Sequence, residues 1–211
     1  MIRLNAPAAL ALSAALLGGI GNTVLRGNSD RGADIFAACR QTRVAGGTGD
    51  IGGAFELISE TGETVTDADI ITGPTLIYFG YTFCPDICSV DVARNARATE
   101  ILEDRGDMLT PVFITLDPER DGIEEVASFT DAMHPRMIGL TGSVEQADAA
   151  SSAFLAYVNR RNGEGEDSYL VDHSSFSYLV FPDHGVAEFF HRETTPENMA
   201  ERISCFIDAA A

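Results

Sequence analysis

Apolar and polar positions divide the chain into three regimes. Residues 4–25 form an uncharged run rich in Ala and Leu. Residues 26–50 are Gly-rich and charged, the composition of a tether. From residue 51 onward, short periodic blocks alternate with turn residues. "FELISETGETVTD" (55–67) alternates apolar and polar side chains around a Thr-Gly pair, which predicts a β-hairpin. "TLIYFGY" (75–81) and "PVFITLD" (111–117) are continuous apolar, β-branched and aromatic runs, as in strands buried on both faces. Between them, Val92, Ala96, Thr99 and Leu102 recur at helical spacing. A short helix over 122–133 and a short strand over 137–141 follow. Ser143 is placed to cap a helix expected to run to about residue 158. "FSYLVF" (176–181) and "VAEFFH" (186–191) predict two strands joined by the turn "PDHG". Thr195 as cap and Pro196 at the first helical position open a last helix.

Strands that alternate with helices form a sheet covered on both faces. A closing hairpin and a final helix give the order of an α/β, thioredoxin-like domain: a central mixed sheet flanked by helices, with an N-terminal β-hairpin extension. The expected organisation is a signal peptide or membrane anchor over 1–25, a tether over 26–50 and one domain over 51–211. Arg3 ahead of the apolar run fits either a secretory signal or a spanning helix. No A-x-A cleavage site follows it, which favours an uncleaved anchor. Both readings export the rest of the chain, where disulfides persist.

The 211 residues carry a formal charge of −18, and all fourteen basic residues are Arg. That balance argues against nucleic acid as a partner, because such affinity rests on cations against phosphates. It also predicts a solvated acidic surface, with Arg94 and Arg97 among its solvated cations.

The candidate chemistry lies in "YFGYTFCPDICSV" (78–90). Cys84 ends a predicted strand, and Cys88 falls in the first turn of the helix that follows, with Pro85 and Asp86 suited to the first helical positions. A helix N-terminus favours thiolate over thiol through its free N–H groups and dipole. Two converging, ionisable thiols can cycle through a disulfide or bind a soft metal. His173, in "YLVDHSSFSYLV", would complete a two-sulfur, one-nitrogen set suited to copper, whereas structural zinc usually takes four protein ligands. The other histidines read as structural: His134 at a helix end, His184 in a turn and His191 at a strand end.

"YFGYTFCPDIC", "LDPERD" (116–121), "IGLTG" (138–142) and "VDHSSFSYLV" in this order resemble the Sco/SenC family of copper-binding, thioredoxin-like proteins that assist assembly of the CuA centre of cytochrome c oxidase. The resemblance implies that Cys84, Cys88 and His173 bind one copper ion, as Cu(I) or Cu(II). It implies a second-shell or partner-binding role for Asp117. It also implies cytochrome c oxidase subunit II and other copper chaperones as partners, and a periplasmic location at the inner membrane. The family commonly has Pro after the second cysteine, where this chain has Ser89. Cys39 and Cys205 lie outside the shared motif and are expected to pair as a structural disulfide. The chain is read as a monomeric metallochaperone rather than an enzyme. The rivals are a thiol–disulfide oxidoreductase acting through Cys84 and Cys88 and, more remotely, a thiol peroxidase.

Overall fold

The computed structural model describes residues 34–42, 51–84, 87–161 and 169–211. The expected anchor, most of the expected tether, and Pro85 and Asp86 lie outside the described residues. No described helix is long and apolar enough to cross a membrane.

The hairpin is β1 (Glu56–Ser59) with β2 (Thr64–Thr66), and the one-turn helix α1 (Asp67–Ile70) follows. Then come β3 (Thr75–Gly80), α2 (Cys88–Arg105), β4 (Thr110–Thr115), α3 (Ile123–Met133), β5 (Ile138–Thr141) and α4 (Val144–Ala153). The chain ends with β6 (Val158–Arg161), β7 (Leu170–His173), β8 (Ser177–Phe181), β9 (Gly185–Phe190) and α5 (Pro196–Ala210). Seven strands form one sheet in the order β2-β1-β5-β4-β3-β8-β9. The β3–β4 and β4–β5 pairs are parallel, while β1, β8 and β9 join antiparallel, so the sheet is mixed. This is the thioredoxin-like arrangement. All six residues of β3 are buried, as its unbroken apolar run requires of a central strand.

Two apolar clusters hold the layers. Phe55, Leu57, Ile77, Phe79, Val112 and Phe154 belong to one. Leu76, Leu102, Leu179, Met199, Ile203 and Phe206 belong to the other, which joins α2 and α5 to the sheet. Val92, Ala96, Thr99 and Leu102 all point inward from α2. Gly106, at φ 88°, ends that helix in the left-handed conformation that favours glycine, and it donates to Leu102 and Glu103 carbonyls. Ser143 accepts the Gln146 N–H in a capping box, and Thr195 accepts the Asn198 N–H ahead of Pro196.

Two features differ from the sequence expectation. α4 stops at Ala153, where Leu155 takes φ 52° and turns the chain. The residues beyond form β6, which pairs antiparallel with β7 in a separate two-stranded ribbon. Residues 36–42 also pack onto the domain. Phe36 is buried, and Cys39 is joined to Cys205, the pairing expected, across 166 positions with 5.8 Å between Cα atoms. Gln41 and Thr42 donate main-chain hydrogen bonds to the buried Glu188, which Arg202 neutralises at 2.7 Å.

Candidate metal centre

Three elements converge at the carboxyl end of β3. The strand delivers the chain to a turn in which the Cys84 N–H donates to the Tyr81 carbonyl. Cys88 is the first residue of α2, and His173 is the last residue of β7. The ligand atoms of Cys84, Cys88 and His173 all lie within 4.8 Å of one another. Among the described residues, no fourth Cys, His, Asp or Glu joins them.

The two thiols are unequal. Cys84 is half-buried, whereas Cys88 is completely enclosed. The Cys84 sulfur accepts the Cys88 main-chain N–H at 3.4 Å, at the N-terminus of α2. A hydrogen bond from the Cys88 thiol, with further ones from the Ile87 and Cys88 N–H groups, outweighs burial and pulls Cys84 down to about 3. The same thiol hydrogen bond, together with burial, pushes Cys88 up. The pair therefore gives up one proton readily and holds the second.

His173 has a fixed tautomer. Its Nδ1 lies 2.9 Å from the Ser174 carbonyl, which can only accept, so Nδ1 carries the hydrogen. Nε2 then presents a lone pair to the Cys88 sulfur at 3.3 Å. This carbonyl-backed imidazole is the usual arrangement of a ligating histidine. The ring stands between the edge-on rings of Tyr78 and Tyr81, each with its centroid 6.1 Å away. A cleft of about 220 Å³, lined in part by Tyr81, Ile87, Arg161 and Leu170, opens onto Cys84 and His173. Two soft sulfurs and one imidazole nitrogen fit a thiophilic ion such as copper.

Asp117 is not one of the clustered ligands. It is buried and accepts hydrogen bonds from the Tyr169 hydroxyl and Arg120 Nε. Arg120 in turn lies over the rings of Tyr169 at 3.8 Å, Phe83 at 5.6 Å and Tyr81 at 5.8 Å, so Asp117 reaches the centre through Tyr81. Ser89 is exposed in the first turn of α2, where the helix forms without proline. His134 is buried at the end of α3, His184 packs on Phe36, and His191 packs on Phe176; none is in the cluster.

Sequence reasoning missed three supports of the site. Asp121 closes "LDPERD" and is buried; it accepts from the Thr82 N–H at 2.8 Å, the Thr82 hydroxyl and the Thr115 hydroxyl, and so pins the turn before Cys84. Tyr78 and Tyr81, inside "YFGYTFC", flank His173. Arg94, expected in solvent, is instead buried: its face of α2 turns toward β8 and the end of β9, and Asp91 at 3.1 Å neutralises it. Arg97 is exposed and pairs with Glu100.

A SCO1/SenC family model matches residues 43–208. Protein SenC of Rhodobacter capsulatus is 48% identical over 206 residues, which are 96% of this chain and 90% of that protein. The crystal structure of Arabidopsis thaliana ScoI with copper bound superposes with a TM-score of 0.70 at 34% identity, covering 75% of this chain and 99% of that one. Bradyrhizobium japonicum ScoI with copper bound gives 0.67 at 30% identity, covering 73% and 98%.

Proposed function

The chain belongs to the SCO1/SenC family, and on that premise we propose that it is a copper-binding assembly protein in which Cys84, Cys88 and His173 hold one copper ion as cargo. The observation that carries the assignment is the convergence of two sulfurs and an imidazole Nε2 within 4.8 Å, from three separate elements. The copper-bound relatives support the identity of the metal. Cys84 supplies a thiolate without any further loss of protons, and His173 arrives with its lone pair free. Loading the metal displaces the remaining Cys88 proton. The cleft beside Cys84 gives incoming ligands an approach, so transfer proceeds by exchange of one ligand at a time, beginning at Cys84. The recipient in this reading is the CuA site of cytochrome c oxidase subunit II. Residues 1–25 serve to export the domain and hold it at the membrane facing the periplasm, and the domain acts as a monomer. Asp117 supports the centre from outside the ligand set.

A second reading, thiol–disulfide exchange on a partner's oxidised cysteines, is favoured by the accessible Cys84 thiolate next to a buried Cys88 thiol. His173→Ala separates the two. Copper titration of the reduced domain is expected to show one equivalent bound with an intense sulfur-to-Cu(II) charge-transfer band, and this variant is expected to lose tight binding. Retained stoichiometric, tight binding in His173→Ala would remove the ligand assignment; loss of binding with disulfide reduction intact would support it.

A further inference from the structure

Behind Cys88 the protein buries an ion pair that the three ligands do not use. Asp91 and Arg94 are 2% and 8% exposed on the inward side of α2, and Asp91 is one turn beyond Cys88. Arg94 donates to one Asp91 oxygen at 3.1 Å and also to Ser177 at 3.1 Å and Asn95 at 3.3 Å. The other Asp91 oxygen accepts the Tyr78 hydroxyl at 3.1 Å. The Tyr78 ring meets the edge of His173, and its Cε1 edge faces the same space over Gly80 as the Cys88 sulfur. The strand leaves room for this contact at Gly80: a Cβ there would lie 2.9 Å from Tyr78 Cε1 and 3.3 Å from the Cys88 sulfur.

Stability does not explain the pair. Desolvating two charges costs about as much as their attraction returns, and well-packed apolar residues often do as well or better in such positions. Arg94 Nε is moreover left without a partner. What the pair does supply is direction. With Arg94 holding Asp91, the Tyr78 hydroxyl has one fixed acceptor, and the phenol is locked beside the sulfur.

We propose that Tyr78 is a positioning residue for Cys88, clamped by the buried Asp91–Arg94 pair, and that this chain sets how firmly the Cys88 sulfur holds copper and how readily the Cys84–Cys88 pair oxidises. The proposal rests on the ligand set given above. Its test compares the parent protein with Tyr78→Phe, which keeps the ring and removes the hydroxyl, and with Asp91→Asn, which keeps Tyr78 and removes the charge. Thr130→Val, a buried hydroxyl on α3 bonded to Glu60, serves as the stability control. Copper retention is measured against a chelator, with the Cu(II) charge-transfer maximum recorded. Separately and without metal, each protein is equilibrated with glutathione: the dithiol gives two electrons and two protons to one oxidised glutathione, forming the Cys84–Cys88 disulfide and two reduced glutathiones.

Tyr78→Phe and Asp91→Asn are expected to weaken copper retention on the order of tenfold, the lower end for groups that orient ligands, and to move both the charge-transfer maximum and the glutathione equilibrium. Thr130→Val is expected to lower the melting temperature and move neither. A Tyr78→Phe protein that melts earlier but keeps the parent spectrum and equilibrium overturns the proposal. If Tyr78→Phe does not fold, Asp91→Asn decides by the same criteria. If the parent takes up no copper, the copper reading fails, and the metal-free equilibrium still decides the role of Tyr78.

Discussion

Cys84 and Cys88 begin as the same side chain and are made different by their surroundings. One sulfur sits in the turn before a helix and collects hydrogen bonds; the other is enclosed by β3, Tyr78 and the helix itself. The difference is measurable as reactivity. An ordinary thiol loses about tenfold in thiolate for each pH unit below about 8.5. Cys84, lowered to about 3 chiefly by the Cys88 thiol, keeps its thiolate down through mildly acidic pH. Iodoacetamide modification of the reduced protein is therefore expected to proceed at pH 5 within about twofold of its rate at pH 8, because thiolate fraction controls the reaction. Intact mass is expected to show one adduct, on Cys84, with Cys88 unmodified because it is raised and enclosed. A rate that falls by orders of magnitude between those pH values would show that the helix end and the neighbouring thiol do not act as described.

At the scale of elements, the ribbon β6–β7 carries His173 to the site; Val171 buries β7 in the main apolar cluster, and polar anchors hold β6. Arg160, on β6, donates to the Leu116 carbonyl at the end of β4 and to Asp148 on α4, both at 2.9 Å. Removing them loosens β6 while Val171 keeps β7 in the main core. Arg160→Ala is expected to weaken copper binding about tenfold, as for groups that orient ligands. The same change is expected to lower the melting temperature by no more than about 3 °C, the shift that about 1 kcal/mol gives in a protein of this size. A large fall in melting temperature with unchanged copper affinity would place Arg160 in the core's stability instead. The ribbon also marks where sequence reading stopped. The strands β3, β4 and β8 were legible because they are buried on both faces and their apolar runs are unbroken. "VNRR" carries no such run; it pairs only with β7, so nothing in its pattern distinguishes a strand from the end of a helix. Cys84, Cys88 and His173 were legible as a set through their motifs. Arg94 was not, because burial of a cation depends on Asp91, Ser177 and the end of β9, which the chain brings together only on folding. Asp121 was visible as the end of a motif, but its grip on Thr82 was not.

For the molecule as a whole, the bond between Cys39 and Cys205 spans nearly the entire domain. On the chain-entropy view, closing a loop of that size destabilises the unfolded state by about 5 kcal/mol. A chain with a net charge of −18 repels itself, so a covalent tie that costs no additional charge is a useful source of compactness. The tie is also spatially economical: Phe36 fills the cluster under α5, and residues 41 and 42 hold Glu188, so the leading segment enters the domain as part of its core rather than as a loose end.

That closure has a mechanical consequence. A load applied between residue 34 and the C-terminus runs along the leading segment to Cys39, crosses the sulfur–sulfur bond to Cys205 and leaves through the last turn of α5. The sheet and the clustered Cys84, Cys88 and His173 hang outside the loaded path. Stretched in an optical trap with the bond intact, the molecule is expected to release almost no hidden length. After reduction, unfolding is expected to release roughly 550–600 Å, the extended length of 166 residues. Equal extensions in the two states would mean that tension reaches the sheet by another route. If the length is released only on reduction, a domain pulled against an anchor keeps its metal ligands at rest while the chain that holds it is taut.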